Sequence, residues 1–151
     1  MVQAAELRQV KQFAAFTDEE LTALADLVRE RSFLAEELII SEGELGNDLF
    51  VLLKGQVAVT RIMARGEQMQ VGMVNEGEIF GEMSFLDRKP RTASVKTLKP
   101  CRTLVISRDK FEQLYQSNLL MYARFLRLIA DTITERLRKL GNQLNKRVLW
   151  A

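Results

Sequence analysis

Phe80-Gly81-Glu82-Met83-Ser84-Phe85-Leu86-Asp87-Arg88-Lys89-Pro90-Arg91-Thr92-Ala93-Ser94-Val95 is the stretch that decides what this chain folds into and what it holds. A Gly-Glu pair opens a short apolar turn, and Arg91 follows just before a β-rich run resumes. Gly81 permits close backbone approach. The turn from Glu82 to Phe85 can present main-chain N–H groups at a helix start, a cradle for an anion. Arg91 adds a fixed positive charge and a two-pronged donor fork suited to phosphate oxygens. Taken singly, Glu82 and Arg91 read as an ordinary turn-to-strand salt bridge of little energetic weight. As parts of one complete motif in its expected context, they read as a ligand site.

On either side of this stretch the apolar spacing has period two. Short β-rich runs occupy Leu38 to Ile40, Leu49 to Leu53, Gln56 to Ile62, Gln70 to Val74, Ala93 to Leu98 and Thr103 to Ile106. Seven of the eight glycines fall between Ser32 and Ser107, where they supply turns. Many short strands joined by Gly-rich turns predict a sandwich or barrel.

Residues 1–31 and 108–149 have helical spacing instead. Leu7, Val10 and Phe13, then Leu21, Leu24, Leu27 and Val28, predict two short N-terminal helices. Thr17, with Glu20 three residues on, has the form of a capping box and starts the second near Asp18. After the strands, a short helix from Arg108 to Gln116 leads into a long one. There Leu119, Ala123, Leu126, Ala130, Ile133, Leu137, Leu140 and Leu144 step alternately by four and three, an a/d seam that predicts a homodimer. The competing use of the first half is packing on the strands, which makes the part from Ile133 onward the better dimer contact.

The segment 80–95 resembles the phosphate-binding cassette of the cyclic nucleotide-binding domain family, F-G-E-x-[AS]-[LF], a short spacer, then R-[STA]-A. Every defined position matches. The resemblance extends to LIISEGELGNDLFVLLKGQVAV from Leu38 to Val59, to the N-terminal helical segment and to the long helix. It implies a mainly β fold with flanking helices, a double-stranded β-helix or jelly-roll barrel over 32–107, in a single domain of residues 1–151. It also implies that Arg91 neutralises a cyclic phosphate, that Glu82 accepts from the ribose 2′-hydroxyl, and that Gly81, Met83, Ser84, Thr92 and Ala93 complete the cassette. Val59 and Val74 would line the base pocket, and Thr134, Arg138 and Asn142 on the long helix are candidates to touch the base. The implied ligand is a cyclic nucleotide, cyclic AMP ahead of cyclic GMP, with ligand binding coupled to movement of the C-terminal helix. One departure from the family pattern is Glu36, where the family has Gly; a positive φ there would cost about 1 kcal/mol.

Composition removes competing functions. The chain of 151 residues has 47% hydrophobic and 28% charged residues, the balance of a globular domain. It contains no histidine, which excludes His-based triads, most zinc sites and the metal centre of a cupin enzyme, so a sensor and not an enzyme is expected. No cofactor or metal is expected. A net charge of +2 is too small to predict nucleic-acid binding from composition alone. Seven residues follow Leu144, too few for the helix-turn-helix that follows the same long helix in catabolite-activator-type regulators. Direct DNA binding by this chain is therefore not expected: either it is the sensor part of such a regulator or it signals through another protein partner, which the sequence does not identify. A dimerising structural module without ligand is the remaining alternative. The N-terminus lacks a signal-peptide core and no stretch is long enough to span a bilayer, so a cytoplasmic location away from membranes is expected.

Overall fold

The computed structural model describes residues 2–144. The end of the expected helical range, 145–149, lies outside the described residues. The chain opens with α1 (Ala4–Arg8), a single 3-10 turn (Lys11–Phe13) and α2 (Asp18–Leu27). The capping box is formed: Glu20 N–H donates to Thr17 Oγ1 at 3.1 Å, and Thr17 N–H donates to Glu20 Oε1 at 2.8 Å.

Eight strands follow: β1 (Val28–Phe33), β2 (Leu38–Ile40), β3 (Asp48–Lys54), β4 (Val57–Ile62), β5 (Gln68–Val74), β6 (Ile79–Phe80), β7 (Ser94–Thr97) and β8 (Cys101–Ser107), with α3 (Glu82–Asp87) between β6 and β7. They make two antiparallel four-stranded sheets, ordered β1-β8-β3-β6 and β2-β7-β4-β5. This is the jelly-roll arrangement, with one correction: the described sheets do not close into a barrel. β1 and β6 remain the edges of one sheet, β2 and β5 the edges of the other. A second correction concerns residues 28–31, predicted as helix. Val28 continues the apolar spacing of α2, yet it already pairs with Ile106 as the first residue of β1; its burial serves a strand, and period alone cannot separate the two at a junction.

The continuous apolar run of β3 follows from its place in the interior of its sheet. Leu49 and Val51 pack among the helices with Leu104, Ile106 and Phe125, whereas Phe50 and Leu52 face the space between the sheets with Val57, Val74 and Val95. A strand buried on both faces shows no alternation. Glu36 does adopt a positive φ of 65°, as the departure from the family pattern anticipated.

The C-terminal part is α4 (Arg108–Ser117) and α5 (Leu119–Leu144). Met121, Phe125, Leu128, Ile129 and Thr132 form the buried face of α5. The predicted seam points elsewhere: Leu119, Leu126, Leu137, Leu140 and Leu144 are all exposed. The first half of α5 does pack on the strands, through Phe125, Leu128 and Ile129 beside the seam, which leaves most of the seam itself exposed.

Candidate ligand-binding site

The space between the second sheet, α3 and α5 is a cavity of about 430 Å³. All nine of the cassette and pocket residues named from the sequence, Gly81, Glu82, Met83, Ser84, Arg91, Thr92, Ala93, Val59 and Val74, line it. Ile40, Val71, Met73 and Val95 extend its apolar wall.

Arg91 is 8% exposed and its guanidinium is held by carbonyls: Nη1 donates to Gly81 O and Nη2 to Asp48 O, each at 2.8 Å. An arginine has five N–H donors. Two are used on these carbonyls, which fixes the direction of the side chain. Burial, with the nearby charge of Arg108, lowers its pKa below the usual arginine value, offset in part by Asp48, Glu82 and Glu44; at neutral pH it remains a cation. The local backbone is built around this side chain. Gly81 has φ +81°, and a Cβ there would stand 3.0 Å from Arg91 Nη1. At Gly46 a Cβ would come within 2.1 Å of Arg91 Nε, so a larger residue would have to displace the guanidinium.

α3 starts directly after Gly81, and its first-turn amides have no intrahelical acceptor. Glu82, Met83 and Ser84, which carry those amides, all line the cavity. Buried Glu82 does not pair with Arg91. It accepts instead from Arg136 Nη1 of α5 at 2.6 Å, while Arg136 Nη2 donates to Ile79 O. The long helix supplies the cavity with Arg136, Lys139, Leu140 and Gln143. The candidates Thr134, Arg138 and Asn142 are exposed and lie outside the lining. They lie on another face of the same helix, since spacing fixes a helix face only once its packed stripe is known.

The cyclic nucleotide-binding domain model matches residues 30–118. The chain belongs to that family. A cyclic nucleotide-binding domain from Methylobacillus flagellatus superposes with a TM-score of 0.85 at 26% identity, over 98% of this chain and 83% of that one. A cGMP-dependent protein kinase of Caenorhabditis briggsae is 31% identical over 110 residues, 72% of this chain and 15% of the kinase. A CRP-like cAMP-activated global transcriptional regulator of Mycobacterium tuberculosis is 27% identical over 124 residues, 82% of this chain and 54% of the regulator. The chain thus spans only part of either curated relative's length. Among the described residues no helix is long and apolar enough to cross a membrane.

This chain is accordingly a cyclic nucleotide-binding regulatory domain. Its cavity combines a cation with free donors, unpaired helix-start amides, one carboxylate and an apolar wall. Such a set recognises an anionic phosphate, a hydroxyl-bearing sugar and a flat apolar base together. Gly46, Arg108 and Arg136 were not among the sequence candidates, since each matters through a neighbour distant in the chain.

Proposed function

We propose that this domain is a non-catalytic, cytoplasmic sensor, with residues 1–151 acting as one ligand-binding unit that binds cyclic AMP in preference to cyclic GMP. Arg91 neutralises the cyclic phosphate together with the amides of Glu82 to Ser84, Glu82 accepts from the ribose 2′-hydroxyl, and the base lies against Val59, Val74 and Leu140. The observation that carries this is the placement of Arg91, anchored by two carbonyls and lining one cavity with the residues that start α3.

Coupling runs through α5. Because this helix furnishes part of the lining, a ligand that contacts it differently in two positions shifts the balance between them. The exposed seam supports a homodimer, with Leu137 and Leu144 in the contact and the downstream protein partner engaged at the same helix end. Calorimetric titration with cyclic AMP and cyclic GMP tests the reading: a saturable heat with the first ligand tighter is expected, and no heat with either removes it.

A further inference from the structure

Arg108 is a second buried arginine, 8% exposed, at the junction where β8 ends and α4 begins. Its side chain uses four of its five donors on protein oxygens. Nε donates to Phe85 O at 3.1 Å, Nη1 to Asn47 Oδ1 at 2.8 Å, and Nη2 to Gly46 O at 2.9 Å and Ser84 O at 2.7 Å. The Arg108 backbone N–H adds Asn47 O at 2.7 Å. These acceptors belong to two segments, the loop entering β3 and the turn of α3.

Arg91 is anchored to the same two segments, through Asp48 O in the first and Gly81 O in the second. Between the two guanidiniums lies Gly46, whose carbonyl accepts from Arg108 and whose Cα abuts Arg91. The spacing of the two segments therefore sets the direction of Arg91, and Arg108 sets the spacing. Arg108 does not line the cavity. Any effect it has on a ligand passes through the groups it holds.

We propose that Arg108 is a positioning residue of the anion site: it clamps Gly46 and Asn47 to the turn of α3 and so keeps Arg91 aimed into the cavity. This rests on the reading of the cavity as a cyclic nucleotide site. Because Arg108 is also the first residue of α4, the clamp joins the phosphate end of the cavity to the helices that follow.

The test compares Arg108→Gln and Arg108→Lys with the unmodified protein. Cyclic AMP and cyclic GMP affinities are measured by calorimetry, and rotation of the Arg91 guanidinium in the ligand-free protein by nitrogen-15 NMR, the signal being assigned by its loss in Arg91→Lys. In the folded Arg108→Gln protein, affinity falls on the order of ten-fold and the Arg91 guanidinium rotates freely. Arg108→Lys, with one ammonium for four acceptors, falls between. Native affinity in folded Arg108→Gln overturns the proposal, and so does weakened binding with Arg91 still held. Should Arg108→Gln fail to fold, Arg108→Lys is judged by the same two measurements. If the unmodified protein binds neither nucleotide, the ligand reading fails, and Arg91 rotation in the free protein still decides whether Arg108 positions it.

Discussion

Arg136 of α5 donates from Nη1 to Glu82 Oε1 at 2.6 Å, tying the long helix to the only carboxylate in the described cavity lining. Arg136 holds Oε1; in the proposed binding mode the ribose hydroxyl would use Oε2, so that helix and ligand would share one acidic group. The pair is partly exposed on the arginine side, which keeps its contribution to about 1 kcal/mol. Arg136→Ala is expected to weaken cyclic nucleotide binding about five-fold in calorimetry. It should also speed amide exchange along the distal part of α5. Unchanged exchange there would show that other contacts hold the helix.

Arg91→Ala removes both the cation and the clamp between Gly81 and Asp48. Two charge-assisted bonds to a phosphate are lost, so affinity should drop on the order of 100-fold while circular dichroism stays native. Arg91→Lys should recover part of it, since an ammonium lacks the fork. Full affinity in Arg91→Ala would move the phosphate elsewhere.

How far the sequence discloses such a site depends on how local its logic is. The cassette is local: Gly81, Glu82 and Arg91 lie between the start of α3 and the loop before β7, close enough in the chain to share one cavity. The capping box at Thr17 and Glu20 and the positive φ at Glu36 are likewise legible, because backbone geometry there is set by adjacent residues. The rotation of α5 is not local. Two apolar stripes run side by side on it, Leu119 to Leu144 and Met121 to Ile129, and only the shape of the sheet decides which is buried. Hence the spacing points to Thr134, Arg138 and Asn142, whereas the packed helix turns Arg136, Lys139 and Gln143 to the cavity. Gly46 and Arg108 carry no local signal at all; their roles arise where β3, β8 and α3 meet.

The seam on α5 now offers a cleaner probe of self-association than its centre. Leu140 lines the cavity as well as the seam, so changing it would disturb ligand binding directly. Leu137 lies on the seam and outside the lining. Leu137→Glu is expected to convert a dimer to a monomer in sedimentation equilibrium, by opposing like charges across a symmetric contact. Cyclic nucleotide affinity per chain should change less than for Leu140→Glu. A monomer in the unmodified protein at every concentration would assign the stripe to a different partner.

Stability in acid should report on Glu20. Burial raises its pKa, but the Thr17 hydrogen bonds and the Arg124 guanidinium 2.5 Å away, an ion pair without hydrogen-bond alignment, outweigh it and the net shift is downward. A folded pKa below the unfolded one means the contribution is complete above about pH 4.3 and is lost as pH falls through the lowered folded value. Glu20→Gln should therefore cost about 1 kcal/mol in urea unfolding at pH 7. The gap to the unmodified protein should narrow as the pH is taken below that value. A constant gap across the whole range would mean that Glu20 acts only by packing.

Gly46→Ala isolates the steric part of the site from its charge. The added methyl would stand 2.1 Å from Arg91 Nε and 2.5 Å from Cζ, so the guanidinium or the loop must move. Arg91 is the element that can give, because its side chain ends in a cavity while the Gly46 carbonyl is fixed by Arg108. Moving the guanidinium breaks its bonds to Gly81 O and Asp48 O and turns its free donors away from the cavity. The charge count is unchanged, and so is every residue that touches the ligand. Affinity for the cyclic nucleotide is nevertheless expected to fall by at least about ten-fold, with thermal stability lowered by a few degrees. Because the phosphate contact alone is disturbed, Gly46→Ala combined with Arg91→Ala should bind no worse than Arg91→Ala. A double variant that loses affinity in proportion to both changes would mean that Gly46 supports the site through the loop and not through Arg91.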